Sequence, residues 1–249
     1  LNAGAYVSVD IIIELIEKML GMSDGEVIGI GVSSPGVVDG GVVRSSTMRG
    51  WRNLDLATPI NEHFGIDTTV SNDATSAMLT ERFFGQGGPN MLFVRMDSGL
   101  GSAILLSDTP VIGELHAAGE IGHISIDLNG PLCPCGKRGC LETMISADAL
   151  RKQMANVDDD ERQAILARAG RYLGQALAMP VGLLDMSDVC IFGQPDIINT
   201  TFIDAAQAYL DASTSSSFHK HTVIRRCECG PDITVQGEAI AVLLQYLAK

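Results

Sequence analysis

The segment Gly119-Glu120-Ile121-Gly122-His123, running on through Cys133-Pro134-Cys135-Gly136-Lys137-Arg138-Gly139-Cys140-Leu141-Glu142, organises the reading of this chain. One histidine and three cysteines fall between positions 123 and 140. Thiolate and imidazole donors in that number fill a closed tetrahedral Zn²⁺ site. Gly136 and Gly139 let the backbone double back between Cys135 and Cys140. A saturated metal leaves the flanking carboxylates of Glu120 and Glu142 available to another partner. The metal site is therefore expected to hold Glu120, His123 and Glu142 around a polar ligand. The competing assignments are buried core cysteines and a disulfide. Three cysteines in so short a span, with glycines between them, are not core spacing, and Cys133 and Cys135 are too close to pair with each other. Six cysteines in 249 residues do not make a small disulfide scaffold, and the start of the chain shows no signal peptide.

Working outward, the chain has the length for one large or two small domains. At 46% hydrophobic and 19% charged it can bury a core and is not disordered. Its apolar runs, such as Val181–Leu184 and Ala239–Leu244, are core-sized and shorter than a membrane span. The net charge of −13 argues against this chain gripping a phosphate backbone by itself, although a basic module upstream stays compatible with it. Reduced thiols suit the cytoplasm. Because the first residue is Leu1, the chain is expected to begin partway through a longer protein.

Periodicity predicts an amphipathic helix over Val9–Leu20, stopped at Gly21. A buried strand is expected at Val27–Val32, broken by Ser33-Ser34-Pro35-Gly36, and a second short one at Val42–Arg44. Leu56–Phe64 reads as a helix with Gly65 past its end, and Thr68–Val70 as a strand leading through Ser71-Asn72-Asp73 into a helix over Ala74–Phe84. Met91–Met96 and Ser102–Leu106 read as strands joined by the turn Asp97-Ser98-Gly99-Leu100-Gly101. Ser146 caps a helix over Ala147–Met154. The acidic run from Asp158 heads a long helix from Glu161 to Leu184, where negative charge complements the dipole. A strand at Val189–Phe192, a helix over Thr200–Leu210, a polar and mobile Ser213–Ser217, a strand at Thr222–Arg226 and an apolar helix over Gln236–Leu247 complete the chain. Strands and helices mix throughout, which makes the class α/β. A division is expected near residue 119, between a unit 1–118 and a unit 119–249.

Several residues carry chemistry. Asp73 stands at a strand-to-helix junction, where it reads either as a helix cap or as a general base or hydroxyl acceptor. The turn at 97–101 reads either as a hairpin or as a decayed phosphate loop, with Gly99 and Gly101 the residues that would approach a phosphate. Cys227 and Cys229 form a second Cys-x-Cys. His219 and His221 stand near enough in sequence to complete a site with them, but unligated thiols are the simpler assignment. Cys190 lies in an apolar strand and reads as core. Trp51 is either a core anchor or a stacking partner.

In order and spacing these residues resemble the ROK family (repressors, open reading frames and sugar kinases). The resemblance rests on Ser34-Pro35-Gly36-Val37-Val38-Asp39, Arg49-Gly50-Trp51, Asn72-Asp73-Ala74, Ala118-Gly119-Glu120-Ile121-Gly122-His123 and the Cys133, Cys135, Gly136, Gly139, Cys140, Leu141, Glu142 pattern. It extends over roughly residues 9 to 248. It implies an actin/hexokinase-like (ribonuclease H-like) fold of two α/β lobes, the N-terminal one truncated, with a sugar cleft between them. It implies zinc on His123, Cys133, Cys135 and Cys140. It implies a sugar site of Gly36, Asn72, Asp73, Glu120, His123 and Glu142, with Thr47 as a further contact. In a family kinase the residue matching Asp73 takes the proton from the sugar 6-hydroxyl before it attacks ATP.

The departures separate the functions. The first phosphate loop of the family is absent. The second, usually Gly-Thr-Gly-x-Gly, reads Asp97-Ser98-Gly99-Leu100-Gly101. The adenine loop, usually a Gly-Gly run, reads Gly193-Gln194-Pro195. Sugar residues are kept and nucleotide residues are lost, which argues against ATP and Mg²⁺ as ligands. The resulting expectation is the sugar-sensing domain of a ROK-type transcriptional regulator, binding a hexose or N-acetylhexosamine. Its DNA contact would lie on a helix-turn-helix upstream, and the family's habit is homo-oligomeric. The alternative is an ATP-dependent ROK sugar kinase of glucokinase or N-acetylhexosamine kinase type. A zinc-bearing oligomerisation domain without a small ligand is the third reading.

Overall fold

Ser8 opens the first helix: its hydroxyl accepts from the Ile11 N–H at 3.3 Å, and α1 follows over Val9–Leu20. The structure, a computed structural model, describes residues 8–47, 49–214 and 221–249. It is a mixed α/β fold whose described residues fall into two compact units, 1–80 with 231–249, and 81–230.

In the first unit, β1 (Ile30–Ser34) and β5 (Thr68–Asn72) pair in parallel, Ile30 opposite Thr68 and Ser34 opposite Asn72. The ladder begins where β5 begins, so Val27–Gly29, expected as strand, lie ahead of it. Between them run three antiparallel strands, β2 (Val37–Asp39), β3 (Val42–Ser46) and β4 (Trp51–Asp55), with a register shift at Val37/Val38. Helix α2 (Ala57–Phe64) ends on Gly65 in the left-handed conformation. Ile16, Ile30, Val43, Leu56 and Ile60 form the core of this unit, with Trp51 packed against it as an anchor.

The last helix, α8 (Ile233–Leu247), packs on β1 and β5. That explains why the units do not follow the sequence-based boundary at 118/119: the C-terminal helix packs on strands of the N-terminal unit. It lies close to helix α3 (Asp73–Phe84), for a Cβ built on Gly237 would stand 1.6 Å from the Ser76 carbonyl oxygen. The obstruction is backbone and cannot rotate away. Gly237→Ala is therefore expected to destabilise the protein by about 1–3 kcal/mol, read as a lower urea midpoint. An unchanged midpoint would mean that these helices do not approach so closely.

In the second unit, β6 (Met91–Met96), β7 (Leu100–Leu106), β8 (Thr109–Pro110), β9 (Asp188–Gly193) and β10 (Val223–Arg226) form one sheet in the order β10-β9-β6-β7-β8. β10, β9 and β6 are parallel, and β7 and β8 run antiparallel. Each parallel connection carries a helix: α6 (Asp159–Leu184) lies between β6 and β9, and α7 (Thr200–Thr214) between β9 and β10. Asp158 caps α6 by accepting from the Glu161 N–H at 2.8 Å. Short helices α4 (Leu141–Ile145) and α5 (Ala147–Gln153) precede it, and Ser146 caps α5 as the sequence predicts. A core running from Leu92 and Val94 through Leu141, Leu173 and Phe202 fills this unit. The expected polar stretch from Ser213 begins inside α7; from residue 215 on it lies outside the described residues, as does His219. Among the described residues no helix is long and apolar enough to cross a membrane.

Candidate functional site

The metal-ligand cluster is built by backbone turns. Gly119 has φ +92° and lies against β7, where its carbonyl accepts from the Ser102 N–H (3.0 Å) and hydroxyl (2.7 Å). A single 3₁₀ turn, Ile121–His123, then presents the imidazole. Further on, the Cys133 N–H donates to Lys137 O at 2.8 Å, and the Gly136 N–H to Cys133 O at 2.9 Å, closing a tight turn around Cys135. Gly139 has φ +62° and leaves no room for a Cβ, which would stand 1.6 Å from Asp127 O. Cys140 pairs with Ser125 in an isolated antiparallel bridge, immediately before α4.

The four side chains converge. Cys133 Sγ is 3.6 Å from His123 Nδ1, Cys135 Sγ is 3.6 Å from Cys140 Sγ, and all four donor atoms lie within 4.8 Å of one another. Bonds of ~2.3 Å to sulfur and ~2.0 Å to nitrogen give tetrahedral edges of ~3.5–3.8 Å. The cluster can therefore hold a metal ion. Its electrostatics agree. Burial pushes the Cys133 thiol up, and burial with the neighbouring thiols takes Cys140 up to about 12, while the Lys137 backbone N–H draws exposed Cys135 down. Three sulfurs this close resist ionising together unless a cation joins them.

The predicted ligand-facing residues fall into two sets, one in each unit. In the second unit Glu120 Oε2 is 3.9 Å from His123 Nε2, so the imidazole turns Nδ1 toward the sulfurs and Nε2 toward a carboxylate. Glu142, in the first turn of α4, accepts from the Leu100 N–H at 2.9 Å. One carboxylate expected to face a ligand thus holds the first residue of β7, next to Gly99 in the turn from β6 and to Gly101, which lies inside β7 opposite Arg95. That turn is a hairpin. The Asp97 N–H closes on Gly99 O at 3.0 Å, and Arg95 Nε donates to Asp97 Oδ2 at 3.0 Å.

In the first unit Gly36, Asn72 and Asp73 gather at the carboxyl ends of β1 and β5, and exposed Thr47 follows β3. Gly36 has φ +97°, and a Cβ there would stand 2.2 Å from Ser45 O. Asn72 Nδ2 donates to Gly36 O at 2.9 Å, and Asn72 Oδ1 accepts from the Ala74 and Thr75 N–H groups at 2.9 and 3.1 Å. Asn72 is therefore the cap of α3, and half-buried Asp73 is the first helical residue. The cap assignment open for Asp73 passes to its neighbour.

Sequence reasoning missed Glu238. It is 3% exposed on α8, and its carboxylate accepts from Ser76 Oγ at 2.6 Å and Ser71 Oγ at 3.1 Å. Ser76 Oγ is also 3.1 Å from Asn72 O, so this network lies directly beneath the Asn72-Asp73 junction. As the one charged residue of α8, it offered the signal available.

The model of the ROK family matches residues 7–205. A glucokinase of Thermotoga maritima is 34% identical over 149 residues, covering 57% of this chain and 47% of the relative. A xylose repressor of Bacillus subtilis is 32% identical over 151 residues, covering 58% of this chain and 39% of the relative. The chain thus matches half or less of the length of these two proteins. The crystal structure of a ROK family transcriptional regulator, a homologue of the E. coli MLC protein, superposes with a TM-score of 0.83 at 23% identity, covering 96% of this chain and 68% of that one.

Proposed function

The chain belongs to the ROK family, with its actin/hexokinase-like fold, and from that membership we propose that it is the sugar-binding part of a transcriptional regulator. The ligand is a hexose or N-acetylhexosamine. Its hydroxyls are assigned to Asp73 with Gly36, Asn72 and Thr47, and to Glu120, His123 and Glu142. Zn²⁺ on His123, Cys133, Cys135 and Cys140 closes the loop that carries His123 and fixes the ring so that Nε2 faces Glu120.

The observation that carries this reading is the turn at 97–101. Its Leu100 N–H is taken by Glu142, its Asp97 N–H by Gly99 O, and its side chain is an acid paired with Arg95. A phosphate there would meet the Asp97 carboxylate. The Gly193-Gln194-Pro195 segment after β9 adds a second substituted nucleotide position. Sugar binding without phosphoryl transfer is the work of a sensor: a sugar that prefers one conformation shifts the population toward it. DNA contact is assigned to a helix-turn-helix outside this chain, the whole protein to a homo-oligomer, and its place to the cytoplasm.

A second reading, an ATP-dependent sugar kinase with Asp73 as base, is favoured by the 34% identity to a glucokinase and by the place of Asp73 at the head of α3. Isothermal titration of the full-length protein separates the two. Neutral sugars are expected to bind and an ATP analogue is not. Nucleotide binding that tightens in the presence of sugar would establish the kinase. Asp73→Ala is expected to weaken sugar binding by about 1–3 kcal/mol, the cost of leaving a buried hydroxyl partner unpaired. Wild-type affinity in that variant would remove Asp73 from the site.

A further inference from the structure

A second group of sulfurs lies far from the first in sequence. Cys190 is fully buried in the middle of β9. In the pairing with β10 it stands opposite Arg225, and the Cys227 N–H donates to Ile191 O at 2.7 Å. Strand register therefore brings Cys190 beside Cys227, with the half-buried Cys229 two residues further on. Glu81 of α3, 1% exposed, reaches the same place. Cys227 Sγ is 3.0 Å and Cys229 Sγ 3.3 Å from Glu81 Oε2. The donor atoms of Glu81, Cys190 and Cys227 all lie within 4.8 Å of one another.

The carboxylate is oriented from its other side. Glu81 Oε1 accepts from Arg225 Nη1 at 2.7 Å and from the Gln86 N–H at 3.0 Å. Arg225 is fixed in turn by Asp188 through Nε (2.8 Å) and Nη2 (2.9 Å). One oxygen of Glu81 is thus held by an ion-pair network, and the other is aimed at sulfur. A thiol is a weak hydrogen-bond donor, and one would satisfy that oxygen. Here two thiols crowd it and a third stands within reach of a shared cation. Tetrahedral edges about a metal with ~2.3 Å sulfur and ~2.1 Å oxygen bonds are ~3.6–3.8 Å. Glu81, Cys190 and Cys227 stand near that spacing, and Cys229, 3.3 Å from Glu81 but outside the group within 4.8 Å, would swing in as the fourth ligand.

We propose that Cys190, Cys227, Cys229 and Glu81 form a second metal site, an S₃O set for Zn²⁺. On binding, each thiol S–H bond breaks as its S–Zn bond forms, and the three protons pass to water with no change of oxidation state. The metal and the Arg225 guanidinium offset three of the four negative charges of the three thiolates and the carboxylate. The ion would tie the C-terminal turn of α3 to the middle of β9 and to the segment that follows β10. This site is independent of the sugar-binding reading and of the cluster at 123–140.

The test is metal content per chain after loading with Zn²⁺ alone, repeated with Co²⁺ to record the thiolate charge-transfer band. Wild-type protein is expected to hold about two equivalents, and Cys227→Ala and Cys229→Ala about one each. The equivalent that remains, lost only in Cys135→Ser, marks these variants as folded. Cys229→Ala removes a half-exposed sulfur and decides the matter where Cys227→Ala does not fold. Metal content that neither Cys229→Ala nor a folded Cys227→Ala lowers overturns the proposal. An equivalent that survives Cys135→Ser and disappears in Cys229→Ala sustains it, even in a protein without zinc at the first cluster.

Discussion

Cys135→Ser is expected to release the metal at the first cluster and destabilise the protein by on the order of 4 kcal/mol, the linkage energy of a ligand present at about a thousand times its dissociation constant. In a chain of this size that is a fall of roughly 10 °C in melting temperature. The residue is well chosen because it is exposed. Replacing an exposed cysteine by serine, with no metal attached, changes stability by no more than about 0.5 kcal/mol. The two cases differ by several kcal/mol, and the side chain's own packing cannot blur them. Unfolding in guanidinium, zinc content and proteolytic nicking between His123 and Glu142 should move together. A Cys135→Ser protein with wild-type melting would show that the sulfurs are assembled without a metal.

Glu238 predicts a stability that falls with pH. Burial raises its carboxyl to about 7 from an ordinary value of 4.5, and the Ser76 and Ser71 hydroxyls offset only part of that rise. A folded-state value above the unfolded one favours the fold fully below pH 4.5. The advantage is lost as pH rises to about 7, because the unfolded chain ionises first. At about 1.4 kcal/mol per unit the term is ~3 kcal/mol. In the protonated form the carboxyl donates to Ser76 Oγ, whose own proton is then directed to Asn72 O. Glu238→Gln cannot ionise. The stability difference between variant and wild type should therefore grow in the variant's favour by ~3 kcal/mol from pH 4.5 to above 7. Parallel curves would place the titration of Glu238 outside that window.

The helices were legible where one rule governs each end. The 3.6-residue apolar period of α1 and the cap Ser146 act within a few residues, and the structure has them where the sequence does, whereas α6 opens at Asp159, ahead of the expected Glu161, because Asp158 caps it. β1 begins later than its apolar run because a strand extends only as far as its partner, and β5 starts at Thr68. β4 has little strand propensity, being Trp51-Arg52-Asn53-Leu54-Asp55 with Asn53 at φ +47°, and exists through its pairing with β3. The gathering of His123, Cys133, Cys135 and Cys140 was legible because these residues and their glycines lie within one short stretch. Cys190 read as core because its partners are brought by strand register, which spacing does not carry. Glu238 was hidden for the same reason, with Ser71 and Ser76 more than 160 positions away.

The first unit takes both its opening segment and its closing helix from opposite ends of the chain, with 81–230 inserted between them. On the ribosome, β1 and β5 emerge long before α8, and until α8 arrives they lack the helix that packs on them. The inserted unit is contiguous and has its own core, so it can close first while its host waits, which is the order expected when a chain folds unit by unit as it is made. The host's loop-closure entropy is then reduced, because a folded insert brings its two ends together in place of a long flexible chain. A released chain ending before Ile233 would thus carry a finished insert inside an unfinished host, with the faces of β1 and β5 on which α8 packs left open to chaperones.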